Sequence, residues 1–158
     1  MNIAVSDAAE ALLESRTYRP HAYTDPVDSL TLTYEARFLR RKVLVTDQGR
    51  RLLVDLAQTT SLDQGGVLIT GAGGEITIIA APEPLYSVTG DLVRLAWHIG
   101  NRHTPCQIQA EQLLIQRDHV LRDMLTRLGA VLKEIDAPFT PEGGAYGHGR
   151  THGHHHEH

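Results

Sequence analysis

The chain has 158 residues, enough for one ordinary domain or two small ones, and at 41% hydrophobic content it can build a packed core. Its formal net charge of −4, with histidine neutral, argues against a nucleic-acid binder that works by phosphate neutralisation. Cys106 is the single cysteine, which excludes an internal disulfide.

The opening stretch "MNIAVSDAAEALLES" has no basic leader and no long apolar run. No segment approaches the roughly 20 apolar residues of a membrane helix. The default expectation is a cytoplasmic location. The first half of the chain reads as strands. "SLTLTYEARF" alternates Leu30, Leu32 and Tyr34 with Thr31, Thr33 and Glu35, a period of two. "KVLVTDQGRRLLVDL" places two apolar runs around Asp47-Gln48-Gly49-Arg50, the pattern of a hairpin turn. "GGVLITGAGGEITIIAA" repeats it, with Gly71 to Gly74 as the break. Residues 1–81 are therefore expected to form a glycine-punctuated, antiparallel, all-β domain.

Pro82 and Pro84 mark a change of texture. "EPLYSV" predicts a short strand, and Thr89 and Asp91 are candidate N-caps for "LVRLAWHIG". Leu92, Val93, Leu95, Ala96 and Ile99 fall on one helical face, and Gly100 or Asn101 could take the left-handed conformation that closes the helix. "CQIQ" and "QLLIQ" read as two further strands. Asp118 caps "HVLRDMLTRL", whose Val120, Leu121, Met124, Leu125 and Leu128 make a stripe that Gly129 ends, and "AVLKEI" is a last strand. The order β-α-β-β-α-β over 82–138 predicts a ferredoxin-like domain, and the whole chain an α+β fold. Beyond Pro138, "PEGGAYGHGRTHGHHHEH" holds too little apolar surface to order itself, so 139–158 is expected to be a flexible tail.

Histidine is the compositional anomaly. Of ten, six lie in the tail: His148, His152, His154, His155, His156 and His158. Neutral imidazole suits zinc, copper and nickel, and histidine-rich tracts capture them. An appended affinity tag is the alternative reading, although these histidines are interrupted by Gly, Arg, Thr and Glu. The other candidates cluster around "HIGNRHTPCQI". His98 falls in the last helical turn, where an imidazole can serve the helix dipole or act as a ligand. His103 lies past the helix end, just before Thr104-Pro105, on a connecting loop where functional side chains are common. His119 is either a solvent-facing residue beside a cap or part of a weaker second site. No single-chain zinc motif is complete, because one internal imidazole falls short of about four ligands. A twofold interface would set two His103 rings face to face. A glycine-rich tail of about fifteen residues spans on the order of 20 Å, enough to add donors.

"WHIGNRHTPCQI" resembles the His-[Leu/Ile]-Gly-Asn-Arg-His signature of the UreE family of urease accessory proteins, which act as nickel metallochaperones. "RDHVLRDMLTRLG" is similar to the second-helix segment of that family, and a His-rich end is typical of it. The resemblance covers the whole domain order. It implies a homodimer with His103 as the central metal ligand at the interface, and a secondary role for His98. Some members carry His-Asp-His at the start of the second helix as an extra site. Arg117-Asp118-His119 stands there in this chain, so only His119 carries over. Cys106 occupies a position that is commonly aliphatic, which reads as a core residue or a stray soft donor. The family's N-terminal domain is regarded as a peptide-binding module. The implied function is delivery of Ni(II), with Zn(II) and Cu(II) as competitors, to apo-urease through the accessory GTPase UreG. Two rival readings come from the residues alone. One is a general transition-metal buffer. The other is a metal-dependent hydrolase using His98 and His103 with Asp91, Glu111 or Asp118, for which no motif spacing exists.

Overall fold

Leu52, Val54 and Leu56 are buried on alternate positions of one strand while their neighbours face outward, the pleat's period of two. The computed structural model describes residues 12–144 and Arg150. The chain forms two units, Met1–Ala81 and Pro82–His158.

The first unit is β1 (Leu13–Arg19), β2 (Asp28–Leu32), β3 (Phe38–Val45), β4 (Arg51–Ser61), β5 (Val67–Thr70) and β6 (Glu75–Ala80). They make one six-stranded sheet in the order β2-β6-β5-β1-β4-β3 around a core that includes Leu30, Leu52, Leu68, Ile76 and Ile78. Both predicted hairpins form. Asp47 to Arg50 turn β3 into β4, closed by Thr46 N–H donating to Arg50 O at 2.7 Å, with Gly49 at φ 86°. Gly71 to Gly74 join β5 to β6.

Three expectations for this unit change. The sheet is mixed rather than antiparallel, because β1 pairs with β4 and β2 with β6 in parallel. Turn residues announce a hairpin locally, whereas a parallel pair joins distant segments and leaves no local mark. β1 carries no clear period and was not anticipated. The alternation through Leu30 and Leu32 stops there: residues 33–37 turn, with Arg37 N–H donating to Thr33 O at 3.0 Å. Arg37 is buried in that turn and donates through Nη1 to Leu62 O at 3.2 Å. A buried carboxylate pins the long connection between β1 and β2. Glu75 accepts from Arg19 and from the amides of Tyr23 and Thr24. Burial pushes its carboxyl up, and those donors more than offset it, leaving its pKa below the ordinary value.

The second unit is β7 (Pro82–Thr89), α1 (Leu92–Asn101), β8 (Gln107–Ile108), β9 (Leu113–Gln116), α2 (His119–Arg127) and β10 (Val131–Pro138). Its sheet runs β10-β7-β9-β8 with every neighbouring pair antiparallel. Tyr86, Val88, Leu113 and Ile115 from the strands pack with Leu95 and Ile99 of α1 and Leu121 and Leu125 of α2. Two apolar residues assigned to the buried helix faces lie outside them: Val93 is 85% exposed and Val120 is 49% exposed. The buried stripe of each helix narrows to an i, i+4 pair, Leu95/Ile99 and Leu121/Leu125, flanked by partly buried neighbours.

The ordered chain also runs past Pro138. Phe139 is fully buried, Thr140 N–H donates to Gln107 Oε1 at 2.8 Å, and Glu142 N–H donates to Cys106 O at 2.8 Å. The boundary expected at 138/139 therefore cuts through a packed segment. Composition hid this, because one phenylalanine anchors a stretch that otherwise reads as polar and Gly/Pro-rich. Among the described residues no helix is long and apolar enough to cross a membrane.

Candidate metal centre

The chain that carries His103 begins at Asp91, the N-cap of α1, whose side chain accepts from Arg94 N–H at 3.3 Å. Leu95 and Ile99 hold the helix to the sheet. After Asn101 the helix ends, with Arg102 as C-cap. His103 N–H then donates to Gly100 O at 2.9 Å, and Thr104 N–H reaches back to Ile99 O at 3.4 Å. This pair of bonds is a Schellman motif with His103 in the position just past the cap. That position needs a left-handed backbone, and His103 has φ 59°, the one non-glycine positive φ among the described residues. Neither Gly100 nor Asn101 takes the role expected of them; the histidine does. The backbone of this exposed residue is thereby fixed on the loop before Thr104 and Pro105.

His98 lies in the last turn of α1, where its ring meets the Trp97 indole edge-on, with centroids 5.1 Å apart and planes at 86°. Trp97, one turn after Val93, is 63% exposed. Together they form an apolar strip on α1 turned away from Leu95 and Ile99. Residue types alone carried that signal, since α1 has more large apolar residues than one buried face can take.

His119 opens α2 behind Asp118, whose Oδ1 accepts from Val120 N–H at 2.8 Å and from Leu121 N–H at 3.1 Å. Opposite the apolar stripe, as periodicity places it, His119 is exposed and lines a cleft of about 500 Å³ together with His98, Asp123, Met124 and Arg127. The fold thus brings His98 and His119 to one cleft, and His103 is not among its lining residues. Arg117, where the resemblance places the first histidine of a pair, is committed to the sheet. Its Nε donates to Leu85 O at 3.1 Å and its Nη2 to Ile135 O at 3.0 Å. It also faces Glu134 and Asp136 across 3.7 and 3.6 Å.

Cys106 is partly buried against the core of this unit. Burial, then the charge of Glu142, pushes its thiol up to about 11, so it stays protonated at neutral pH and is a poor donor to a metal. Asp91 and Asp118, two of the carboxylates a hydrolase would draw on, are engaged as helix caps. Among the described residues no group of three or more His, Cys, Asp and Glu side chains is arranged to hold an ion. His148, His152, His154, His155, His156 and His158 lie outside the described residues.

Comparison with known proteins covers both units. The family model for the N-terminal domain of the UreE urease accessory protein matches residues 9–81, and that for its C-terminal domain matches residues 78–158. A urease accessory protein UreE of Ruegeria sp. (strain TM1040) is 65% identical over 142 residues, covering 89% of this chain and 81% of the relative. The UreE of Ruegeria pomeroyi is 62% identical over 135 residues, covering 85% of this chain and 91% of the relative. That of Rhodobacter capsulatus is 51% identical over 142 residues, covering 90% and 91%. With both domain models matched in order along one chain, the chain belongs to the UreE family of urease accessory proteins.

Proposed function

We propose that the chain is a cytoplasmic nickel metallochaperone, a homodimer that binds Ni(II) as cargo at paired His103 rings and passes it through the GTPase UreG to apo-urease. The observation that carries this reading is the left-handed backbone at His103. An L-residue there costs about 1–2 kcal/mol that glycine would avoid, so the position favours a side chain with work to do. The exposed Val93 and Trp97 strip on the same helix supports a contact between copies, since an apolar face of this kind is normally covered. The strand order β10-β7-β9-β8 with two crossover helices supports the ferredoxin-like reading of residues 82–138.

One imidazole per chain is half of a minimal pair, and a twofold axis supplies the other half by repeating the same patch. The tail histidines complete the set, and His98 with His119 form a secondary, weaker place for an ion. Ligation by neutral imidazole leaves the ion exchangeable, as a carrier requires, whereas a thiolate cage would retain it. Proton and metal compete for the same ring nitrogen. Free histidine titrates near pH 6.5, so nickel affinity is expected to weaken sharply below about pH 6.

The test is calorimetric nickel titration with mass determined in the same solution. One tight ion per two chains at the folded domain is expected. Replacing the six terminal histidines by glutamine should lower the total number of ions and weaken, without abolishing, that tight one. A strictly monomeric particle at micromolar concentration that still binds nickel tightly, one ion per chain, would refute the shared site. Affinity unchanged between pH 7.5 and 5.5 would refute imidazole ligation.

A further inference from the structure

Four strands lie at sheet edges: β2 and β3 in the first unit, β10 and β8 in the second. An edge strand has backbone N–H and C=O groups that no neighbouring strand satisfies, so each edge needs protection. β2 is closed by the β3–β4 turn. Asp47 N–H donates to Ser29 O at 2.8 Å, and the Ser29 and Thr31 hydroxyls donate to Asp47 Oδ2 at 2.6 and 2.7 Å. β8 has two residues, too few to template a partner strand. β10 mixes both signs of charge, with Lys133, Glu134 and Asp136 all exposed.

β3 differs from all three. Arg40, Arg41 and Lys42 are consecutive, exposed and of one sign, and Arg51 is exposed opposite Val45. One carboxylate faces them: Asp55 lies 3.7 Å from Arg40 Nη1 and 3.7 Å from Arg41 Nη1. Lys42 and Arg51 have no ion-pair partner among the described residues. In a chain of net charge −4 this edge is a local reversal of sign. The register with β4 shifts between Leu39 and Arg41, then runs regularly from Arg41 opposite Asp55 to Val45 opposite Arg51. Along that regular stretch Arg41, Val43 and Val45 share one face of the sheet, and Lys42 and Leu44 share the other. Val43 and Val45 are 43% and 64% exposed, so apolar surface continues the charged run.

We propose that β3 is a docking strand: an extended acidic segment of a partner protein adds to the sheet along Arg41–Val45, with carboxylates beside Arg41 and Lys42 and apolar side chains beside Val43 and Val45. Main-chain bonds to the free side of β3 supply the ladder, and charge selects the partner. The same cations repel a second β3, so two copies of the chain do not join at this edge. Protection against indiscriminate pairing and choice of an acidic strand are thus one device.

The probe is a synthetic peptide of two glutamates followed by alternating valine and threonine, titrated into the full-length chain with amide hydrogen exchange followed by residue. Binding should slow exchange in β3 and leave β10 unchanged. Raising salt from about 0.05 to about 0.5 M should weaken affinity about three- to tenfold. Lys42→Glu should weaken it by a similar factor. Lysine in place of the glutamates should abolish binding. Two further peptides carry N-methyl groups on alternate amides. The one whose methyl groups face β3 should lose binding, and the other should keep it. Equal binding of both would mean that no ladder forms. Equal binding of the lysine peptide, or of the probe to Lys42→Glu, would mean that charge does not select. No binding at about 1 mM, or protection outside β3, would mean that the cations only shield the edge. Each of these results overturns the proposal. Urea unfolding of Lys42→Glu, together with Lys42→Gln as a milder change, separates lost docking from a lost fold.

Discussion

The two helices of the second unit end in the same way with different residues. In α1 the bonds run from His103 N–H to Gly100 O and from Thr104 N–H to Ile99 O. In α2 they run from Gly129 N–H to Thr126 O and from Ala130 N–H to Leu125 O. The residue past the cap has φ 59° at His103 and φ 90° at Gly129. Both ends satisfy the same orphan carbonyls, so hydrogen bonding does not distinguish them. The side chain does. Where only a backbone turn is needed, the chain uses glycine; at the other end it accepts left-handed strain and presents an imidazole.

That contrast is most directly broken at His103. His103→Gly keeps the turn and deletes the ring, a cleaner probe than alanine, which would keep the strain. On the proposed function, nickel affinity should fall by more than about tenfold, beyond the lower end of what outer-shell changes alone produce. Stability should rise at the same time, by up to about 1 kcal/mol, as the backbone strain is relieved. Urea unfolding beside the nickel titration reads both. A variant that lost stability as well as nickel would show the ring to be a structural prop.

The mirror experiment is Gly129→Ala. A Cβ there meets nothing within 4 Å, so the cost is conformational alone. A loss of about 1–2 kcal/mol is expected, with nickel binding unchanged. If Gly129→Ala proved neutral, the strain argument would fail at both helix ends together.

This contrast also explains what the sequence could and could not disclose. Gly129 announces the end of α2 because glycine is the ordinary residue for a left-handed turn. His103 does not announce the end of α1, and the two residues that looked suited to it, Gly100 and Asn101, are still helical. A residue that breaks the local rule is invisible to that rule, and only the motif around it points to His103. The same division holds in the sheets. The hairpins at Asp47–Arg50 and Gly71–Gly74 are written in their turn residues. The parallel pairings of β1 with β4 and β2 with β6 depend on contacts between distant segments and have no local signature. His119 is exposed opposite the buried Leu121/Leu125 face, as periodicity places it; what periodicity does not disclose is that His98 of the other helix lines the same open cleft. Phe139 shows the limit of composition, since one buried ring outweighs the polar residues around it.

The helix starts offer the finest gradation. Both are capped by aspartate, but Asp118 accepts two amides, at 2.8 and 3.1 Å, whereas Asp91 accepts one at 3.3 Å. Asp118→Ala should therefore cost about 1 kcal/mol and Asp91→Ala about half that. Among the described residues neither aspartate's cap bond involves a histidine, so nickel affinity should stay within about twofold for Asp118→Ala, even though its neighbour His119 sits at the cleft. Asp91→Ala is the more sensitive probe of the loop at His103. Loosening the first turn of α1 can reach His103 only through the whole ten-residue helix. A nickel affinity that followed cap strength in Asp91→Ala, but not in Asp118→Ala, would mean that α1 holds the ring by its rigidity as well as by its terminal turn.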